Sequence, residues 1–336
     1  MFLEKDFDSI YELLARFPTE QSCIDHLELI LWAGAPASPF DPKSKVYKCK
    51  GNKYKCKNTG KYFNVKTGTI FDNSNIKLQK WFMAIFLLMN HKKGISSHQM
   101  ARDMGVTQKT AWFMEHRIRY ALFDENPEQL SGIVEADETF VGGKNKNRHK
   151  DKKVEKCQGR SFKDKTPVLG LLERREFTEI ERPHKVIPGK TVKEKIITKQ
   201  SRVVTRAIKD TSQNSIQPHV LKHVELGTNF MSDEWSAYNG LNKAFNHSVI
   251  DHSKGQYQDG NTCTNTIEGF WTIFKKGTGG IYNKPTEKHL QKFADEFAFR
   301  YNTKNLKGYS RLNTYLSGTE KRLTYKDLIN EARQTQ

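Results

Sequence analysis

Cysteine is scarce and follows no regular spacing, with five residues in 336. An odd, unpatterned set excludes a disulfide framework and agrees with a reducing compartment. Long apolar runs are missing as well. None reaches the ~18 residues of a membrane span, and the opening MFLEKDFDSIYELL lacks the basic-then-apolar order of a secretion signal. A cytoplasmic protein with no membrane partner is expected. Acidic residues are in deficit, since 38 Asp and Glu stand against 56 Lys and Arg, a formal net charge of +18. That imbalance favours a polyanionic partner, because each phosphate neutralised releases condensed counterions. No internal repeat is visible. The glycines at 277, 279 and 280 make no phosphate loop, because no GKS or GKT follows them.

What is present divides the chain into segments. Residues 1–34 carry apolar positions at helical spacing on both sides of Pro18, which predicts two short helices. Residues 35–75 are rich in Lys, Gly and alternating Tyr and Val, which predicts short strands joined by turns. Over 76–125, KLQKWFMAIFLLMN reads as a buried helix. ISSHQMARDMGVTQKTAWFMEHRIRYAL then reads as helix, turn and helix, with Gly105 in the turn. Thr107, Gln108 and Lys109 open the second helix, the end that meets base edges when such a helix enters a major groove.

An α/β domain is expected over 130–305, with an insertion at about 144–200, further strands at Pro167 to Leu172 and near Val203 to Ile208, and a polar tail at 306–336 with a short helix near Tyr325 to Ala332. The Thr178–Lys199 part of the insertion reads as Lys-rich and irregular. Ile133 to Val141 is a central-strand candidate in which Glu135, Asp137 and Thr139 share a face, and Glu135 and Glu138 compete with Asp137 as carboxylates. Asp233 follows a short apolar run that reads as a strand end. On a helical wheel Ile267, Phe270, Trp271 and Phe274 form an apolar stripe, and Asn265, Glu268, Thr272 and Lys275 form an adjoining polar one. Acids from separate elements on a packed scaffold suit magnesium, which prefers hard oxygen ligands. Two such ions roughly 4 Å apart can serve an in-line displacement at phosphorus. Lys275, two turns past Glu268, could hold a phosphate. The basic block with Lys144, Lys146 and Arg148, and the connection with His252 and Lys254, are candidate DNA contacts or merely solvated loops.

ADETFVGG, SDEWSAYNGL, DHSKGQY and TNTIEGFW, in this order, resemble the landmarks of the DDE transposases of bacterial insertion sequences, in the group related to Merlin elements. The likeness covers roughly residues 20 to 305. It implies an α+β protein: an RNase-H-like mixed sheet flanked by helices, preceded by a helical, helix-turn-helix region and a small β relic of a zinc ribbon. It implies double-stranded DNA as partner, both terminal inverted repeats and target. It also implies a homodimer or higher assembly, and cutting and rejoining of strands with Mg²⁺ or Mn²⁺ as two ions. By the same resemblance Asp137 and Asp233 are the first two metal-holding acids. Glu268 is the third, although parts of the group use an Asn here and Asn265 stands one turn away. Where the related proteins carry two Cys-x-x-Cys pairs, this chain has Ala35-Pro36-Ala37-Ser38 and Cys56-Lys57-Asn58-Thr59. Zinc is therefore not expected, and the relic is expected to be held by Tyr47, Tyr54, Tyr62 and Phe63. The alternative is a catalytically silent, DNA-binding regulator of the same fold.

Overall fold

Proline at 18 cannot continue a helix, and it parts α1 (Ile10–Arg16) from α2 (Glu20–Trp32). Each helix starts with a capping box, from Ser9 and from Thr19. The structure is a computed structural model that describes residues 6–143, 149–153, 165–183, 191–250, 263–283 and 285–330. They fall into two units, 1–123 with 303–336, and 124–302.

In the first unit, β1 (Val46–Cys49), β2 (Lys53–Cys56) and β3 (Tyr62–Phe63) form a small antiparallel sheet. Its register settles which aromatics hold it. Tyr54 pairs with Phe63 on the inner face, under Trp32, whereas Tyr47, Lys55 and Tyr62 share the outer one. Tyr47 and Tyr62, expected as core, are 43% and 60% exposed. The sulfur of Cys56 is buried within this sheet. Bonds from the hydroxyls of Ser38, then Ser44 and Thr59, bring its pKa down to about 6 in spite of that burial. Hydroxyls thus gather round this one thiol. Replacing Ser38 and Ser44 together by alanine is expected to return Cys56 to the ordinary thiol range. Thiolate absorbance, followed against pH in a chain stripped of its other cysteines, reads this directly; an unchanged titration would show that these hydroxyls do not hold the anion.

Helix α3 (Leu78–Asn90) buries residues nearly all round, from Leu78 and Trp81 to Leu88 and Met89. Next, α4 (Ser97–Met104) ends at Gly105, whose φ of 59° is the left-handed conformation glycine tolerates best. It leads into α5 (Gln108–Ala121), capped by Thr107.

The second unit is built on a mixed five-stranded sheet. Its first strand, β4 (Ile133–Gly142), pairs antiparallel with β5 (Lys165–Glu173). The chain then makes a hairpin, β6 (Glu176–Pro183) and β7 (Thr191–Lys199), before β8 (Arg202–Ala207) pairs antiparallel with β5. Helix α6 (Gln213–His223) leads to β9 (Asn229–Asp233), parallel to β4, and β10 (Asn246–Ile250), parallel to β9. The order β10-β9-β4-β5-β8 is compatible with the RNase-H-like sheet implied by the resemblance. On one face Val134, Ala136, Leu169, Leu171 and Phe230 pack with Ile216 and Val220 of α6. On the other, Val141, Val168, Leu172 and Val203 pack with α7 (Asn265–Lys276) and α8 (Glu287–Asn302). Past Lys276 the glycines do not stop the helix, which runs on as a π-turn over Gly277–Ile281.

Two expectations need correction. The insertion expected over 144–200 contains the strand expected at Pro167 to Leu172, found as β5, and 176–183 pairs with 191–199 as a regular antiparallel ribbon rather than an irregular segment. Alternating charges knit it: Glu179 meets Lys193 and Lys195, and Arg182 meets Glu194. The supposed polar tail contains a further helix, α9 (Gly308–Leu316), besides the short helix expected near Tyr325, found as α10 (Tyr325–Asn330). Tyr309, Leu312, Tyr315 and Leu316 form a buried stripe, and the Tyr315 hydroxyl donates to the Ile118 carbonyl at 3.0 Å. That closes the first unit with its own C-terminal residues.

Candidate active site

Strands β4 and β9 run side by side with Ile133 beside Asn229, Val134 beside Phe230 and Glu135 beside Met231. The ladder ends there, and two residues further along the two strands stand Asp137 and Asp233, the last residue of β9. Alternation decides the face. Val134, Ala136 and Phe230 belong to the α6 core, so Glu135, Asp137, Met231 and Asp233 project to the side of α7. That helix buries Ile267, Phe270, Trp271 and Phe274, while Asn265, Glu268, Thr272 and Lys275 are exposed.

Glycine at 170 sets how close α7 comes. It lies opposite Asp137 on β5, and a Cβ there would stand 2.5 Å from Cζ2 of Trp271 and 2.9 Å from Cδ1 of Ile267. Gly170→Ala is therefore expected to push α7 outward at a cost of about 1–3 kcal/mol, seen as a lower melting temperature. Gly269→Ala is the control, because a Cβ on the open side of the same helix meets nothing within 4 Å. Its expected effect is neutral to slightly stabilising. Equal effects at the two positions would discard the close-approach argument.

Burial, and next the charge of Asp233, push the Asp137 carboxyl up to about 7. Glu268 adds to this from α7, while the Glu138 N–H bond and the Lys275 ammonium oppose it. Four of the singled-out side chains thus share one electrostatic neighbourhood. The competing acids are engaged elsewhere. Glu135 is buried, with Oε2 accepting from the Ile267 N–H at 2.8 Å and Oε1 paired to Nε of Arg174. Glu138 accepts from the buried Tyr238 hydroxyl. Asp233 Oδ1 takes the Trp235 N–H at 3.1 Å, which fixes the turn after β9. Asn265 opens α7 one turn before Glu268.

The remaining singled-out residues lie in the first unit or outside the described residues. In the first unit Thr107 caps α5, Gln108 donates to the Ser97 hydroxyl at 2.9 Å, and the Lys109 ammonium stands over the Tyr325 ring. All three are exposed. Lys144, Lys146, Arg148, His252 and Lys254 lie outside the described residues.

A family model for the ISXO2-like transposase domain matches residues 129–302, within the unit that holds these carboxylates. The chain belongs to this family. Over 232 residues, 67% of this chain and 70% of the relative, it is also 28% identical to an uncharacterized protein in transposable element ISH50 of Halobacterium salinarum. This is an insertion-sequence transposase by family. Within its domain the donors suit a hard divalent cation. Asp233 and Glu268 both push the Asp137 carboxyl up, and a cation would relieve that repulsion. Among the described residues no three acids, His or Cys are drawn together to ligating distance. Sequence reasoning passed over Arg174, which sits in LERREF beside Arg175 with no pattern to mark it.

Proposed function

We propose that this transposase binds the terminal inverted repeats of its element and cuts and rejoins DNA there, with Mg²⁺ or Mn²⁺ held by Asp137, Asp233 and Glu268. The observation that supports the reading is that Asp137 and Asp233 lie on neighbouring parallel strands, each two residues past their last pair, and that the charges of Asp233 and Glu268 both raise the Asp137 carboxyl. When bound, such cations would activate the attacking oxygen and stabilise the leaving oxygen of an in-line displacement. The chain's own groups orient the reaction. The Trp235 N–H and Glu138 N–H fix the two aspartates by one oxygen each, and Lys275 is placed to take a phosphate oxygen. Glu268 is taken as the third ligand, as the resemblance implies, and it stands near enough to Asp137 for its charge to raise that carboxyl. Asn265 is then a contact to the DNA strand.

Recognition of the repeats falls to the exposed start of α5, with Thr107, Gln108 and Lys109, and to the basic residues Lys144, Lys146, Arg148, His252 and Lys254. A net charge of +18 supplies the sequence-independent part of binding. Joining two ends calls for a dimer or higher assembly. The test is strand cleavage of a duplex that ends in the element's repeats, with Mg²⁺ or Mn²⁺. The expected result is cutting at the repeat ends and transfer of the freed 3′ hydroxyl to target DNA. Tight binding without cutting under either metal would leave a DNA-binding regulator, and cutting without preference for the repeats would leave a general nuclease. Glu268→Gln against Asn265→Ala decides the third ligand.

A further inference from the structure

Helix α7 is not capped by the side chain of its own N-cap residue. The N–H groups of a first helical turn need acceptors from outside the helix, and Thr264, the N-cap residue, makes no side-chain bond to them. Its hydroxyl donates instead to the Glu268 carboxylate at 3.2 Å. The acceptor comes from strand β4, where Glu135 takes the Ile267 N–H at 2.8 Å. Its other oxygen is paired with Arg174, and the same guanidinium goes on to the carbonyl of Cys263, the residue before the cap. A carboxylate at a helix N-terminus is favourable. A buried ion pair is nevertheless weak evidence for stability, since apolar residues of the same volume often do as well. What this pair adds is geometry. It ties the first turn of α7 to β4 at two points, two residues before Asp137 on the same face.

We propose that Glu135 and Arg174 are positioning residues that clamp the first turn of α7 to β4 and so set where Glu268 stands relative to Asp137. This rests on the reading of Glu268 as a metal-holding acid. The double variant Glu135→Gln with Arg174→Met removes the pair without stranding a buried charge. Gln keeps an acceptor for Ile267, so the helix has what it needs to fold. The full chain is measured for melting temperature, for Mn²⁺ binding by electron paramagnetic resonance without DNA, and for single-turnover cleavage of repeat DNA. The expected result is near-native melting and repeat binding, with Mn²⁺ affinity weakened about 10- to 100-fold and slower cleavage at saturating Mn²⁺. A control double variant, Glu115→Gln with Arg119→Met, removes another buried pair far from these acids in sequence. It is expected to leave Mn²⁺ affinity alone. Unchanged Mn²⁺ affinity in a folded Glu135/Arg174 variant overturns the clamp, as does an equal loss in the control. Asp233→Asn run alongside separates the two failures: if it binds Mn²⁺ as well as the native chain, the metal reading itself falls and the clamp with it.

Discussion

Asparagine in place of Asp233 is expected to slow cleavage of repeat-ended DNA by about 10³-fold or more and to leave binding to the repeats intact. A metal ion contributes several kcal/mol of transition-state charge stabilisation, and each 1.36 kcal/mol is a factor of ten in rate. Loss of one anionic ligand from the set is enough to reach that range. The fold should tolerate the change. Asn has the same shape, and its Oδ1 can still accept the Trp235 N–H that Asp233 takes at 3.1 Å. It also removes the second cause of the elevated Asp137 carboxyl, which should titrate lower in the variant. Single-turnover cleavage beside a gel-shift titration separates the two properties. A variant that cuts within tenfold of the native chain would falsify the assignment of Asp233.

The second large effect is a dependence of stability on pH that a divalent cation cancels. Asp137 is raised from 3.8 to about 7 in the folded protein. Between those values the native state holds a proton that the unfolded chain has released, so stability falls as pH rises. The contribution is complete below the ordinary carboxylate range and gone above about 7. Its upper limit is roughly 4 kcal/mol. Thermal melting in a chelator should therefore show a less stable protein at pH 8 than at pH 5 on account of this group. Mg²⁺ or Mn²⁺ should restore more stability at pH 8 than at pH 6, because at the lower pH binding must first displace the proton. Asp137→Asn should flatten both trends. If the native protein and this variant lose stability in parallel, the titrating group lies elsewhere.

Local pattern revealed the parts of the site that sit on regular elements. The buried stripe of α7 has a period of 3.6 and could be read from Ile267, Phe270, Trp271 and Phe274 alone. The face shared by Glu135 and Asp137 follows from strand alternation. Local pattern alone did not separate Asp137 from Glu135 and Glu138; only the resemblance did, because what engages the other two acids lies far off in the chain. Arg174 lies 39 residues from Glu135, and Tyr238 lies 100 from Glu138. No periodicity carries such pairings. The same holds for α9, whose stripe packs within a unit otherwise made of the first 123 residues. The β6–β7 ribbon hid for another reason. Its residues are mostly exposed on both faces, so the alternation of apolar and polar positions that marks a half-buried strand is absent.

Asp137 and Asp233 each follow by two residues the last β4–β9 pair, Glu135 with Met231, on strands whose side chains change face at every residue. One residue gained or lost inside β4, upstream of Asp137, would turn that aspartate toward the α6 core and present a neighbour in its place. The same slip in β9 would do this to Asp233. Between strands no such rule applies, because a connection can lengthen at an entropic cost that grows only slowly. Evolutionary drift in length should thus be confined to connections such as 143–165 and 183–191. Across relatives aligned on the two aspartates, the spans 133–137 and 229–233 should contain no gaps.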